Sequence, residues 1–237
     1  MPVVFAEQVY AVQHYETYAT YKAYTTPSVG PKHIKRFDRE VWEPAEFKPE
    51  HAVLEIGCGT GLFLAYLHEK GIRNMIGIDQ DAALRDIVPG DVRDAFVVDD
   101  AESFISSAVE QGTDFDRIAL FDVLEHFDAD AGRKLLADLK GLLRQGGRII
   151  IKVPNAGSPW GQQFQYGDLT HKTAYTPESM KQQAIAAGFT CVKTYPHRLG
   201  SPARQRWERV LHGVLGRIVT SPPSIWEGNF YAVLAPA

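Results

Sequence analysis

The segment Val53-Leu54-Glu55-Ile56-Gly57-Cys58-Gly59-Thr60-Gly61 limits what this chain can become more than any other. A short apolar run passes directly into three glycines at alternate positions, and helical periodicity follows. Glycine is needed where a strand-to-helix turn is tight and a ligand must approach the backbone. The helix start offers unpaired N–H groups and a positive partial charge, which suit an anion such as a carboxylate. A dinucleotide fingerprint carries its third glycine at the sixth motif position. That position is Leu62 here, and the glycine falls one residue earlier, at Gly61. The register therefore argues against a nicotinamide dinucleotide.

From residue 51 onward, short apolar runs alternate with helical periods. Strands are expected over 51–56, 74–79, 95–98, 117–121, 148–153, 189–195 and 230–234. Helices are expected over 59–70, 100–110, 130–143 and 176–188. Strands alternating with helices imply βαβ units, a parallel sheet and right-handed crossovers. Ahead of them, residues 7–26 carry Tyr10, Tyr15, Tyr18, Tyr21 and Tyr24, the last four spaced by three. That spacing suits one broad helix face, either a packing face or an aromatic lid over a ligand. Residues 31–43 read as a second short helix. The organisation expected is an N-terminal helical cap over 1–48 and one α/β domain over 49–237.

Asp79 ends the second strand, 22 residues after Gly57. A carboxylate there can accept both hydroxyls of a ribose, with Gln80 beside it; the bland role is a helix N-cap. At the third strand's end, one carboxylate of Asp99-Asp100-Ala101 can accept from an adenine amino group while the other caps the next helix. Asp100 is expected to meet the adenine.

Bulk properties narrow the function classes. The chain has 237 residues and a formal net charge of −4, which does not suggest a nucleic-acid partner. Its two cysteines, Cys58 and Cys191, lie far apart, giving no metal-like spacing and fitting a reducing compartment. The N-terminal run is interrupted by Glu7 and Gln8, unlike a signal peptide, and no apolar stretch is long enough to span a membrane. A cytoplasmic location is expected.

Together, LEIGCGTG, the strand-end acid of IGID, DDA, FDVLEH at 121–126 and LLRQGGRIIIKVPN resemble the class I S-adenosylmethionine (SAM)-dependent methyltransferases, in order and spacing, over roughly residues 50–195. The resemblance implies a Rossmann-like α/β fold with helices on both faces of a seven-stranded, mostly parallel sheet whose last strand is antiparallel. It implies SAM as the cofactor. Gly57, Cys58, Gly59 and Gly61 would line the methionine part, steadied by Glu55. Asp79 and Gln80 would hold the ribose, and Asp99, Asp100 and Ala101 would frame the adenine. Phe121 and Asp122 would face the sulfonium, and His126 is either a helix cap or a site wall.

A narrower resemblance, carried by Tyr166-Gly167-Asp168-Leu169-Thr170-His171 and Ala174-Tyr175-Thr176-Pro177-Glu178-Ser179, is to methyltransferases of bacterial polysaccharide and O-antigen pathways. It implies a sugar acceptor, possibly phosphate-bearing, in a monomer or homodimer. A quinone or small-molecule acceptor and a non-catalytic SAM-binding module remain alternatives.

A neutral hydroxyl is a poor nucleophile, so a base is useful. His171, in the long loop after the fifth strand, is the best candidate, with Asp168 as its orienting partner. They are the two expected catalytic residues. No tight ligand cluster is visible in the sequence and no metal site is expected; the loose set Asp122, Asp168 and His171 is the only grouping in view. After Tyr195 a basic stretch places Trp207, Val210, Leu211, Val214 and Ile218 at helical spacing among arginines. It reads as a packed or dimer-forming helix, a phosphate-binding surface or a weak membrane contact.

Overall fold

The computed structural model describes residues 24–237; the lid tyrosines Tyr10, Tyr15, Tyr18 and Tyr21 lie outside them. The seven strands are β1 (Val53–Ile56), β2 (Met75–Asp79), β3 (Phe96–Val98), β4 (Phe115–Phe121), β5 (Leu143–Pro154), β6 (Phe189–Pro196) and β7 (Asn229–Pro236). They form one sheet in the order β3-β2-β1-β4-β5-β7-β6. The pairings β2–β3, β1–β2, β1–β4 and β4–β5 are parallel. β7 runs antiparallel to both β5 and β6. Fold class and strand direction are those expected.

Successive strand residues face opposite sides of a sheet, so a strand buried on both faces is apolar throughout. Leu54, Ile118, Leu120, Ile149, Ile151 and Leu234 enter one core cluster. Their neighbours Val53, Ala119, Ile150 and Val233 enter the other. The first face is covered by α3 (Ala101–Glu110), α4 (Ala129–Lys140) and α6 (Pro177–Ala186), which contribute Ile105, Leu136 and Met180. The second is covered by α1 (Pro31–Phe37), which continues as a π-helical turn Asp38–Trp42, and by α2 (Leu62–Glu69). Phe37, Phe63 and Tyr66 stack there with ring centroids 4.9–5.7 Å apart.

Capping fixes the helix starts. Asp100 caps α3 and Asp128 caps α4. Thr176 and Ser179 form a reciprocal capping box on α6, with Pro177 at its first position. Residues 82–95 form two 3₁₀ turns, Ala82–Asp86 and Gly90–Ala95. β5 begins five residues before its expected start, at Leu143.

The basic stretch is α7 (Pro202–Ile218), and it does not pack on the sheet: none of its residues is buried. Trp207, Val210, Leu211, Val214 and Ile218 are all exposed. The inward side instead carries His212, which stacks on Trp226 and accepts a hydrogen bond from Trp160 Nε1. Between β5 and α6, a long loop contains only the short helix α5 (Gln162–Gln165).

Candidate active site

All four parallel strands that precede the functional turns end on one edge of the sheet, where open α/β folds place ligands. β1 leads into the glycine turn, where Gly57, Gly59 and Gly61 all have positive φ (68°, 52° and 75°). The turn is tied to β2: Asp79 Oδ2 accepts from the Gly59 N–H at 2.9 Å, and Asp79 Oδ1 accepts from the Asp81 N–H at 3.0 Å. Burial outweighs these bonds and raises the Asp79 pKa. Helix capping in this segment falls to Asp81, whose carboxylate accepts from the Ala83 N–H, and Gln80 is exposed.

Two cofactor-side residues are interior. Glu55 is 4% exposed, and its Oε2 has no hydrogen-bond partner among the described residues. Burial first, and Asp79 second, raise its pKa well above the usual carboxylate range. Cys58 donates its backbone N–H to the Ile78 carbonyl, and burial pushes its thiol pKa up. It therefore has the character of a structural rather than a reactive thiol.

At β3 the helix cap is Asp100 rather than Asp99. Asp100 Oδ1 accepts from the N–H groups of Glu102 and Ser103, each at 3.0 Å, and its Oδ2 from the Ser103 hydroxyl. These bonds occupy the carboxylate expected to meet an adenine, and they hold its pKa below the usual range, the Ser103 N–H contributing most. Asp99 Oδ1 accepts from the Asp100 N–H, and Ala101 opens α3.

β4 ends in Phe121 and Asp122. Asp122 has φ 57°, a left-handed conformation costing a non-glycine residue about 1–3 kcal/mol and concentrated at functional sites. Its carboxylate pairs with Lys152 at 2.6 Å. The next residue, Val123, lies over Gly57, so the end of β4 borders the glycine turn.

Beyond it lies a cleft of about 250 Å³ whose lining includes Asp122, Glu125, His126, Asp168, His171 and Asn229. The loop after β5 is drawn here because the N–H groups of Lys172 and Thr173 both donate to the Glu125 carbonyl, at 2.8 and 3.1 Å. Glu125 is fully buried, and neither of its carboxylate oxygens has a hydrogen-bond partner among the described residues. Burial, then the Asp122 charge, raises its pKa well above the usual range. The His126 and His171 rings meet edge-on, centroids 4.7 Å apart, and His171 Nε2 stands 4.0 Å from Glu125 Oε1.

Hydrogen-bond partners fix both imidazole tautomers. His171 Nδ1 is 2.9 Å from the Gln165 carbonyl oxygen, which only accepts, so Nδ1 donates there and in the neutral ring the lone pair lies on Nε2. The Thr170 hydroxyl donates to Asp168 Oδ1 at 2.6 Å and so accepts, at 2.9 Å, from His126 Nδ1. The expected Asp168–His171 pairing is thus replaced: Gln165 orients His171, and Asp168 orients His126 through Thr170. Metal-capable geometry also differs from the loose set Asp122, Asp168 and His171. The ligand atoms brought within 4.8 Å of one another are those of Glu125, His126 and His171. Glu125 and Asn229 were not singled out by sequence; FDVLEH contained Glu125, but nothing in it marks the side chain as buried.

From the other side, Tyr24 approaches both regions. Burial, then the charges of Asp79, Asp81 and Asp168, raise its pKa to about 12.

Strand order, glycine turn and strand-end acids together define a methyltransferase. The chain belongs to the methyltransferase-domain family, which matches residues 32–194. Among solved structures it is similar to a SAM-dependent methyltransferase from Archaeoglobus fulgidus, at 26% identity and a TM-score of 0.64, over 85% of this chain and 91% of that one. It shares the fold of a SAM-dependent methyltransferase from Clostridium acetobutylicum (13% identity, TM-score 0.58, 97% and 99% covered). It also shares the fold of the magnesium protoporphyrin IX methyltransferase of Synechocystis PCC 6803, solved with bound SAM (13%, 0.55, 86% and 80%). No curated protein matches the chain. Among the described residues, no helix is long and apolar enough to cross a membrane.

Proposed function

We propose that the chain transfers the methyl group of SAM to a sugar hydroxyl, in a bacterial polysaccharide, lipopolysaccharide or nucleotide-sugar pathway. The observation that carries this reading is His171, its Nδ1 held by the Gln165 carbonyl, in a polar cleft beside the end of β4, next to the glycine turn. SAM would lie along residues 57–61, its ribose at Asp79 and its adenine at Asp99. The acceptor hydroxyl would enter the cleft at His171.

In the reaction the acceptor oxygen attacks the methyl carbon in line with the C–S bond. The O–CH₃ bond forms, the C–S pair returns to sulfur, and the hydroxyl proton passes to His171 Nε2. Positioning alone can contribute roughly 7–11 kcal/mol to such a step. Asn229 Oδ1 and Gln165 Oε1 are buried acceptors without partners among the described residues; Asn229 lines the cleft and suits the further hydroxyls of a sugar.

Negative charge on the acceptor, such as a phosphate, is supported by α7. Its Arg206, Arg209 and Arg217 are exposed beside an apolar stripe, and His212 links the helix through Trp160 to the cleft loop. The same exposed stripe suits contact with a membrane surface.

The test is turnover of labelled SAM against nucleotide sugars and glycans, followed by mass spectrometry. His171→Ala should leave SAM affinity unchanged and lower turnover by about 10²–10⁴-fold. Full turnover in that variant, or no transfer to any hydroxylated acceptor, refutes the reading.

A further inference from the structure

We propose that Glu125, His126 and His171 bind one divalent first-row transition ion, which presents the acceptor hydroxyl to the methyl donor. Its catalytic role rests on the hydroxyl-acceptor reading above; its presence does not.

Three independent features converge on a ligand set. First, the ligand atoms lie within 4.8 Å of one another on a turn and a loop that the Glu125 carbonyl ties together. The 4.0 Å from His171 Nε2 to Glu125 Oε1 is too long for a hydrogen bond. Two ligands each about 2.0–2.2 Å from a shared tetrahedral ion lie about 3.3–3.6 Å apart, so a closure of about half an ångström would bring this pair onto one ion.

Second, both imidazoles have the outer partners expected of metal ligands. A ligating histidine donates its other ring N–H to a carbonyl or carboxylate system, which fixes the tautomer and aims the lone pair. His171 Nδ1 meets the Gln165 carbonyl, and His126 Nδ1 meets Thr170, which is bonded in turn to Asp168. In the neutral ring each arrangement puts the lone pair on Nε2.

Third, Glu125 is otherwise unexplained. A fully buried carboxylate with neither oxygen hydrogen-bonded among the described residues carries a heavy desolvation cost, which a cation offsets directly. Two imidazoles and one carboxylate form a borderline donor set that favours a transition ion over calcium or magnesium. Three protein ligands leave positions open for a substrate oxygen.

The ion acts as a Lewis acid without redox change. A hydroxyl bound to it loses its proton to solvent more readily, and the resulting alkoxide attacks the methyl carbon as the C–S pair returns to sulfur. His171 then acts on the acceptor through the ion rather than as the final proton acceptor.

The full-length protein, stripped with a chelator, is titrated with Mn²⁺, and the electron paramagnetic resonance signal of free Mn²⁺ is followed. One equivalent should bind. Thr170→Val, which preserves shape but removes the His126 partner, should weaken binding by about 10–100-fold, and His126→Ala and His171→Ala by at least as much. Retained SAM binding in each variant shows that the fold is intact. Absence of saturable Mn²⁺ binding, or affinity unchanged in both histidine variants, overturns the inference. If turnover then persists under chelator, the hydroxyl-acceptor reading stands alone. If Mn²⁺ binds as expected and no hydroxyl is methylated, that reading fails and the metal site remains.

Discussion

Gly57 and Gly59 are two residues apart in one turn, both with positive φ, and alanine should separate their roles. At Gly57 (φ 68°) a new Cβ would lie 2.5 Å from Val123 Cγ2. The left-handed conformation costs an alanine roughly 1–2 kcal/mol. Crowding Val123 adds typically 1–3 kcal/mol. Gly57→Ala should therefore lose about 2–5 kcal/mol, which at 2–4 °C per kcal/mol for a chain of this size is roughly 4–20 °C in Tm. At Gly59 (φ 52°) the new Cβ meets nothing within 4 Å. Only the conformational cost applies, about 1–2 kcal/mol. That open space is where the proposed SAM must touch the backbone, and the Gly59 N–H to Asp79 survives the change. Gly59→Ala should thus keep most of its stability and lose at least tenfold in SAM affinity, about 1.4 kcal/mol. Differential scanning calorimetry and SAM titration calorimetry on both variants separate the two effects. Adding Val123→Ala should recover part of the Gly57→Ala loss, because the two sites are in contact. If Gly59→Ala binds SAM like the parent protein, the space above the turn is not the cofactor's place.

The pair of acids at the end of β3 gives a second test. Asp100→Ala should cost about 0.5–2 kcal/mol of stability through the lost cap with SAM affinity little changed, whereas Asp99→Ala should do the reverse. Equal affinity losses in a binding titration would show that the carboxylates share the adenine. A third test is pH. Glu40 is buried, with Oε2 2.8 Å from His197 Nδ1, an ion pair to Arg39 and the Arg198 N–H at 3.3 Å. Burial alone would raise its pKa, but His197 and Arg39 more than reverse this, so it lies below the usual range. A lowered carboxylate pKa contributes stability that is complete above the unfolded value of about 4.3 and lost as pH falls through the folded value. The stability gap between the parent protein and Glu40→Gln, from urea melts below pH 5, should shrink as pH falls below about 4.3; a gap that widens there would contradict this.

What the sequence displays, and what it hides, follows from the range of the interactions involved. The seven strands and the glycine turn were legible because they rest on short apolar runs and local turn chemistry, as in Val53–Gly61. Asp79 was legible because its place depends only on a strand ending. Asp99 and Asp100 could not be told apart, since capping turns on the φ/ψ of one residue. The cleft was harder still. His126 reaches Thr170 across 44 positions, and His171 meets a backbone carbonyl that leaves no trace in residue type. The burial of Glu125 could not be read, because nothing local says that its side chain is enclosed by a loop arriving from beyond β5. α7 shows the opposite failure. Its apolar period was plain, but period reports only that one face is apolar, not what covers it. Here the polar side, through His212, meets the protein, and Trp207 and Ile218 point to solvent. Short-range rules therefore located the glycine turn and the strand-end acids. The cleft beyond β4 is assembled from long-range contacts between a turn and a loop, and it became readable only once the fold had brought them together.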